Sequence, residues 1–417
     1  MDRLKAAFLR HLLAPLTNSR GVAMMMALFV MMILTFLATE VAFRTNIENS
    51  IAVQRISRLR AYYAAKAGIE LSLCRIMLYK KALASFGEQL GDSKSMLDPI
   101  WQFPFMWPPA LSEEISGVDK SQIQGAVAES KMEATYAVTI ESEGGKIDIN
   151  DLGSDSKALV KATRDQILQI LQAEIENNEK FSEDYGTFDF EELTNNMIDW
   201  VDEGDESLNG GSEKNYYLEV DNETIPPNTP FKTLKELHMV AHMTDEIYQI
   251  LAQRVTVYGS KGVNVNYSDK AVLKSLDAQM TNKIVDEVIN RRSSLAKGGP
   301  FRNQDDFLNY LGSLGVQTDS FNPAGILLAF DAELNFRIRS VGQYGRVFRE
   351  IEAVTYDFEN VKERYIEILT KDEQQNESGD INNNSGSNQE GNGKSETSKR
   401  RLNASKGRPT VVYWYEN

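Results

Sequence analysis

Cysteine and histidine are scarce in this sequence. The 417 residues include one cysteine, Cys74, and three histidines. A single thiol cannot close an intramolecular disulfide, supply a cysteine-based zinc site or form a CxxC redox pair. His238 and His242 are four residues apart, but the glutamate of an HExxH motif is missing, so half-buried or surface positions are expected for both. The sequence also has no P-loop, GxSxG or dinucleotide-binding motif, and we expect no enzyme and no catalytic residues.

Basic residues are outnumbered. There are 45 Lys and Arg against 60 Asp and Glu, which gives a net charge of −15. Such a chain repels a phosphate backbone unless a local basic patch overrides the net charge. The 42% hydrophobic and 25% charged residues are ordinary for globular proteins and exclude a fully disordered, collagenous or polytopic membrane protein. At roughly 150 residues per domain, the length favours two or three folded units.

Only one long apolar stretch is present. Residues 22–39, VAMMMALFVMMILTFLAT, are eighteen in number and uncharged. As a helix they cover about 27 Å, just enough to span a bilayer. The preceding residues contain four basic side chains and one acidic one, a net +3 that favours the cytoplasmic side for the N-terminus. Arg44, Arg55 and Arg58 follow the stretch closely and reduce this bias.

Three interpretations compete for this segment. A secretory signal has an apolar stretch of roughly 7 to 15 residues and a small-x-small cleavage site after it, whereas this stretch is longer and has no good site. A simple signal anchor is the second interpretation. The third is a prepilin-type leader, which is cleaved before the apolar stretch. Residues 22–67 contain no proline or glycine, and helical periodicity extends to Met77, which predicts one long helix and favours the third interpretation.

Two segments carry a resemblance to a known family. Residues 20–23, RGVA, with the apolar run, and residues 60–70, RAYYAAKAGIE, resemble the amino-terminal region of general secretion pathway protein K, a minor pseudopilin family of type II secretion. Type IV minor pilins of the PilX kind share parts of this pattern. The resemblance implies cleavage between Gly21 and Val22 and N-methylation of Val22.

Met26 is the fifth residue after that cleavage site. Most pilins and pseudopilins have a glutamate there, which pairs with the amino terminus of a neighbouring subunit. Protein K resembles this sequence in lacking the glutamate, and in the family this departure marks the subunit at the filament tip. An ammonium in lipid needs a partner, but a subunit with nothing above it has no amine to neutralise.

The order of patterns along the chain indicates an α+β fold. The resemblance implies a pilin-like long N-terminal helix packed on an antiparallel sheet, with a large inserted α-helical domain of the helix-hairpin-helix or SAM-like kind. The predicted segments are a leader at 1–21, a transmembrane part of the helix at 22–39, the first part of the pilin-like domain at 40–150, the helical insertion at 151–325, the second pilin-like part at 326–370, a disordered low-complexity loop at 371–408 and a C-terminal strand at 409–417.

Alternating and helical patterns predict local elements within these segments. A β-hairpin is expected from residues 134–140 and 146–150 around Gly144-Gly145. Later strands are expected at 334–341, 346–357 and 365–369. Short helices are expected at 158–176, 190–201, 234–242, 245–254, 269–276, 281–292 and 304–311.

An acidic cluster between residues 196 and 213 is a candidate calcium site. Several carboxylates on a glycine-containing loop suit calcium, which takes six to eight oxygen ligands, although the spacing is not that of an EF-hand. The alternative is a solvated acidic loop. The segment resembles the DWIDxD…G…E…YY segment of protein K, whose helical domain binds calcium. That resemblance implies a structural calcium site, not a catalytic one, with the ligands Asp199, Asp202, Asp205 and Glu213.

Residues 263–307 resemble a helix-hairpin-helix module. In DNA-binding proteins, a glycine-containing hairpin of such modules presents backbone amides to phosphates. The hairpin position here, residues 277–281, has no glycine and carries an acid. Helical packing or protein contact is therefore favoured over DNA binding.

The resemblance implies a minor pseudopilin at the tip of the type II secretion pseudopilus, which helps initiate pseudopilus assembly and protein export across the outer membrane. Its implied partners are other minor pseudopilins, the major pseudopilin, prepilin peptidase and the inner-membrane secretion platform, with no nucleic acid. Its implied location is the inner membrane, crossed once, with the C-terminal domain in the periplasm. The alternatives are a type IV minor pilin and a membrane-tethered DNA-uptake or DNA-binding protein.

Overall fold

One long helix dominates the protein. The computed structural model describes residues 19–109, 117–219, 225–318, 328–380 and 408–417. Helix α1, Ser19–Leu90, has 72 residues. It contains an apolar window of mean hydropathy 2.4, none of which is buried against the rest of the protein. The predicted continuous helix is thus confirmed, and its first half is long and apolar enough to cross a membrane.

The other elements follow α1 in chain order. The remaining helices are α2 (Pro99–Gln102), α3 (Gly117–Ser130), α4 (Lys157–Asn177), α5 (Glu179–Tyr185), α6 (Phe190–Val201), α7 (Glu213–Glu219), α8 (Asp245–Ala252), α9 (Lys270–Lys274), α10 (Asn282–Arg292), α11 (Gln304–Ser313) and α12 (Phe358–Asp380). Turns of 3₁₀-helix lie at Gly91–Leu97, Ile149–Gly153, Leu234–Met239 and Leu295–Lys297. The strands are β1 (Phe105–Trp107), β2 (Thr135–Ser142), β3 (Ile147–Asp148), β4 (Val255–Thr256), β5 (Val263–Asn264), β6 (Leu328–Ala329), β7 (Phe336–Tyr344), β8 (Val347–Thr355) and β9 (Val411–Glu416).

The second half of α1 packs on an antiparallel sheet with the strand order β1-β2-β7-β8-β9. Ile69, Leu73, Ile76 and Tyr79 of the helix are buried in the core shared with the sheet. The helix and sheet approach closely, because a Cβ on Gly342 would overlap the carbonyl oxygen of Ala61. The predicted α+β fold, a long N-terminal helix on an antiparallel sheet, is confirmed.

The predicted β-hairpin around Gly144-Gly145 is wrong. Strand β2 pairs with β7, while β3 runs parallel to β4. The two glycines serve close packing instead of a hairpin turn: a Cβ on Gly145 would lie 2.6 Å from the backbone carbonyl of Tyr267. The carbonyl oxygen of Gly144 accepts a hydrogen bond from the N–H of Asn264 at 2.8 Å. The chain therefore passes at this point from the sheet into the helical block.

The strand predicted at residues 365–369 is also wrong, since these residues belong to α12. Val361 and Ile368 are both buried, a spacing of two helical turns that places them on one face. The low-complexity loop predicted from residue 371 is wrong for 371–380, where polar helix-forming residues extend α12. Residues 381–407 of that predicted loop lie outside the described residues. The predicted C-terminal strand is confirmed as β9, which pairs with β8.

The helical block has its own hydrophobic core, which includes Leu171, Leu193, Leu251, Phe301 and Phe307. The predicted helices at 158–176, 190–201 and 281–292 are found as α4, α6 and α10. The segment predicted as a helix at 234–242 is a 3₁₀ turn that ends at Met239. The predicted domain boundaries themselves stay predictions.

Polar groups join the block to the sheet. The Asn335 side chain donates to the carbonyl oxygens of Tyr258 at 3.0 Å and Gly259 at 3.1 Å. Glu143 is buried at the same junction, where Arg337 Nε donates to it at 2.6 Å and Lys146 Nζ at 2.9 Å. Thr256 of β4 also donates to Glu143, so Glu143 and Asn335 link the helical block to the sheet.

Candidate functional site

The acidic loop begins where α6 ends. The last turn of α6 is anchored by Trp200, whose ring stacks on Phe231 with centroids 5.7 Å apart and an interplanar angle of 6°. Asp199 in the same turn is fully buried. Its Oδ2 accepts from Ser207 Oγ at 2.8 Å, and its Oδ1 accepts from the N–H of Leu208 at 3.1 Å. Asp199 therefore ties the loop back to its own helix.

The loop is held by further hydrogen bonds of its own. The Asn209 side chain donates to Asn196 Oδ1 at 2.8 Å and to the carbonyl oxygen of Glu192 at 3.2 Å. The backbones of Ser207 and Gly211 are linked at 2.9 Å, which closes the tip of the loop. Gly211 has a φ of +79°, a conformation that strongly favours glycine. The sequence analysis missed the part played by Ser207 and Asn209, because no spacing rule identifies them.

Glu213 stands at the start of α7 and is the unusual group of this loop. Its carboxylate is buried, and its Oε1 has no hydrogen-bond partner within the described part of the chain. The Oδ1 of Asn228 nearby is equally without a partner there. Burial, followed by the charges of Asp199 and Asp202, raises the pKa of Glu213 to about 7. A buried acceptor without a donor, repelled by other carboxylates, is a group that a cation would stabilise.

The predicted calcium ligands are brought near one another only in part. Asp199, Asp202 and Asp205 all act on the charge of Glu213, so the four carboxylates share one local field. However, Asp202 accepts from the N–H of Gly204 at 3.0 Å, and Asp205 is exposed. Across the described residues, no three His, Cys, Asp or Glu side chains form a metal-binding group. Calcium therefore stays a prediction, supported by the unpartnered oxygens of Glu213 and Asn228.

The predicted processing site lies on α1. Gly21 and Val22 are helical and exposed, with Val22 47% exposed, so the bond between them is accessible in this structure. Met26 is 65% exposed on the following turn. Residues 1–18 of the predicted leader lie outside the described residues, and cleavage and methylation stay predictions.

The helix-hairpin-helix-like segment is closed by its own side chains. Between α9 and α10, Asp277 Oδ1 accepts from the N–H of Gln279 at 2.8 Å. The Gln279 side chain exchanges hydrogen bonds with the backbone of Gln317, at 3.0 and 3.3 Å. The backbone N–H groups of Gln279, Met280 and Thr281 all donate to acceptors within the hairpin, which disfavours their binding a phosphate.

His238 and His242 do not share a helix, because the 3₁₀ turn ends before His242. His238 Nδ1 lies 3.3 Å from an Asp245 carboxylate oxygen, and its ring packs on Tyr248 with centroids 3.9 Å apart. His242 Nε2 lies 3.8 Å from Glu192. Each histidine has its own acidic neighbour, and the pair does not converge on a shared site.

Comparisons with known proteins agree with the resemblance found in the sequence. Residues 145–260 match a family model described as "Type II secretion system (T2SS), protein K". No curated protein matches the chain. Among solved structures, the chain is similar to one chain of the GspK-GspI-GspJ complex from the enterotoxigenic Escherichia coli type 2 secretion system. The two chains are 17% identical with a TM-score of 0.40, and the match covers 54% of this chain and 75% of that chain. A TM-score this low carries no argument, so the assignment depends on the family model. The predicted resemblance is confirmed over that segment: residues 145–260 are similar to type II secretion system protein K.

Proposed function

We propose that this protein is a minor pseudopilin at the tip of a type II secretion pseudopilus, where it helps initiate assembly and thereby supports protein export across the outer membrane. The observation that carries this proposal is α1. Its first half is apolar and unburied, whereas its second half packs on the sheet. A membrane anchor that continues without a break into the core of a folded head is what a filament subunit needs. The protein K match at residues 145–260 supports the same function.

The structure supports a single-pass arrangement. Residues 22–39 would cross the inner membrane, and the sheet and helical block would lie in the periplasm. Met26, exposed on α1, would leave no carboxylate to receive the amine of a subunit above it. The partners would be other minor pseudopilins, the major pseudopilin, prepilin peptidase and the inner-membrane platform.

Calcium would have a structural role in this function. Asp199, Asp202, Asp205 and Glu213 would supply oxygen ligands, and Asn228 Oδ1 lies in the same region without a partner. Bound calcium would offset the repulsion that raises the pKa of Glu213. The protein would contribute the fixed ends of the loop, at α6 and α7, and the ion would hold the loop between them.

The test of the function is mass spectrometry of the N-terminal peptide from native membranes. We expect a chain that starts at Val22 and is N-methylated, because a prepilin-type leader is cleaved after Gly21. A chain that starts at Met1, or one cut after the apolar stretch, would contradict the proposal. Co-purification from the same membranes with secretion subunits, not pilus subunits, then separates this function from that of a type IV minor pilin.

A further inference from the structure

A groove of about 400 Å³ lies between α1 and the sheet edge formed by β8 and β9. It is lined by Arg55 and Arg58 of the helix and Arg349 of β8, with Leu59 beside them. Arg58 and Leu59 follow Arg55 by three and four residues, so both lie on the helix face of Arg55. Three arginines in one groove are conspicuous on a chain whose net charge is −15.

These three arginines have no ion-pair or hydrogen-bond partner within the described residues. Other arginines of the same region are paired. Arg44 lies 2.8 Å from Glu40, and Arg60 lies 2.5 Å from Glu133. In the described part of the chain, the three groove arginines therefore lack ion-pair partners, whereas Arg44 and Arg60 on the same helix each have a nearby glutamate.

The groove also contains two carboxylates, but both are already engaged. Glu350 lies 3.2 Å from Arg339 Nε. Glu416 Oε1 accepts from Tyr62 Oη at 3.1 Å and from Trp414 Nε1 at 2.7 Å. The donors to Glu416 are uncharged, so its charge offsets one of the three arginines, and the remaining positive charge is available to an external anion.

The height of the groove above the membrane decides what kind of anion it meets. Arg55 follows Thr39, the end of the predicted span, by sixteen residues, about 24 Å along the helix. The headgroup layer adds only about 5 to 7 Å on each side of the hydrocarbon core. Even with a tilt of about 20°, an arginine side chain stays above the lipid phosphates. A neighbouring protein is therefore favoured over a lipid headgroup.

The apolar residues beside the arginines indicate the shape of that protein surface. Ile51 and Leu59, one helical turn before and after Arg55, are 43% and 54% exposed. Arginines bordered by apolar side chains are typical of the centre of a protein interface. A helix that alternates carboxylates with apolar residues would satisfy both parts of this surface.

We propose that this groove binds a carboxylate-bearing helical segment of a neighbouring membrane-anchored pilin-like subunit, a proposal that rests on the proposed function. The arginines would pair with the carboxylates, and the apolar face of α1 would pack against the partner helix. The groove would then set the register between the two subunits above the membrane.

The test places a photo-crosslinking amino acid at position 59 of the full chain, expressed in its native membranes. We expect an adduct with a pilin-like subunit, and we expect the cross-linked peptide of that subunit to contain Asp or Glu. The double variant Arg55→Glu, Arg58→Glu should reduce the adduct about tenfold, since like charges facing each other at an interface oppose binding. Reversing the carboxylates of the identified peptide to lysine should restore it.

Lys81→Glu is the matched control, because Lys81 is exposed on the same helix but lies far from the groove. It should leave the adduct unchanged. An adduct that is insensitive to the double reversal would overturn the proposal, as would an adduct with phospholipid or with a second copy of this chain. A parallel crosslinker at position 26 separates the two levels of the argument. If position 26 gives adducts with a pilin-like subunit and position 59 gives none, the proposed groove interaction is wrong and the proposed function as a filament subunit stands. If neither position gives such an adduct, both proposals are wrong.

Discussion

Two buried glutamates in this protein behave in opposite ways. Glu143 lies at the junction between the sheet and the helical block, and Glu213 lies at the acidic loop. Burial alone would raise the pKa of Glu143, but Lys146 and Arg337 lower it to about 2. Burial raises the pKa of Glu213 to about 7, and the neighbouring charges of Asp199 and Asp202 add to the effect. A buried carboxylate thus takes its character from the charges around it, and among the described residues only Glu143 has cationic side chains that lower its pKa.

The difference shows what each region is built for. At the junction, every oxygen of Glu143 has a donor, since Thr256 donates to it as well. All members of this hydrogen-bond network have partners, and the network holds the sheet and the helical block together. At the loop, one oxygen of Glu213 is unsatisfied, which is costly unless a cation arrives. At neutral pH the junction therefore contributes stability without a ligand, whereas a cation would be needed to offset the charge of Glu213.

The largest effect is expected from Glu143→Gln, which removes the charge at the junction. Arg337 and Lys146 would then be buried without their anion, and we expect a loss of about 3 to 5 kcal/mol in the free energy of unfolding. Chemical denaturation of the full chain in detergent measures this. Glu141→Gln, an exposed position on β2, is the control and should change stability by less than about 0.5 kcal/mol.

The same residue predicts a pH dependence. Because the folded pKa of Glu143 lies below its ordinary value, its contribution is present above about pH 4.5 and is lost as the pH falls towards 2. The Gln variant should lack this part of the acid destabilisation. Equal acid sensitivity in the variant and the wild type would show that the junction is not held by this charge.

An intermediate effect is expected at the loop. The folded pKa of Glu213 is raised, so without calcium its contribution to stability should fall as the pH rises from about 4.5 to 7. Calcium requires the ionised carboxylate, so stabilisation by added calcium should grow over the same range. At an ion concentration 100 times the dissociation constant, the gain is about 2.7 kcal/mol.

Thermal melting of the full chain with calcium or chelator, at pH 5.5 and 8, tests this expectation. Glu213→Gln should abolish the calcium shift and raise the stability of the calcium-free protein at pH 8. Glu203→Gln, an exposed carboxylate of the same loop, should retain the shift. A midpoint that does not respond to chelator, together with wild-type behaviour of Asp202→Ala, would exclude the site.

The smallest effect is expected at a third buried acid, Asp98, which lies between these two extremes. Burial raises its pKa to about 6, while hydrogen bonds from Tyr267 and Trp101 oppose that rise. Tyr267 Oη donates to its Oδ2 at 3.0 Å, and Trp101 Nε1 donates to its Oδ1 at 3.3 Å. The uncharged donors complete the hydrogen bonds of this carboxylate, but they do not remove the free-energy cost of burying its charge.

Asp98→Asn should therefore change stability by only about 1 kcal/mol at pH 7, since it loses the charge and keeps an acceptor. The wild type should lose stability as the pH rises from about 4 to 6, and the variant should not. Equilibrium unfolding at pH 4 and pH 7 measures both slopes, with Asp155→Asn, an exposed position, as the reference. A variant whose free energy of unfolding is lower at pH 7 than at pH 4 would contradict this account.

Local periodicity predicted much of the fold. The uninterrupted residues 22–67 predicted the continuity of α1, and the pattern at 190–201 predicted α6 with the bounds it has in the structure. The hairpin around Gly144-Gly145 was wrong because two glycines mark both tight turns and close packing, and only the position of Tyr267 distinguishes them. The strand predicted at 365–369 was wrong because a short apolar run fits both periods.

The candidate site was predicted less completely. The acidic cluster was visible as composition, but Ser207, Asn209 and Asn228 were not, because their roles depend on contacts between segments far apart in the chain. In the sequence, Arg55 and Arg58 were interpreted only as basic residues that reduce the charge difference across the apolar stretch. Their significance depends on Arg349, which only the sheet brings alongside α1.

The sequence by itself determined the apolar stretch, the long helix, the helical block and the resemblance to protein K, because these depend on the period of apolar residues and on short motifs that need no distant partner. The tertiary structure alone decided which buried acids are satisfied. Glu143 and Glu213 are both buried glutamates, yet Arg337 is 194 positions away from the first, and its charge reaches Glu143 only after β2 and β7 have paired in the sheet. Electrostatics in a protein interior depends on distance through space, which residue types along a chain do not specify.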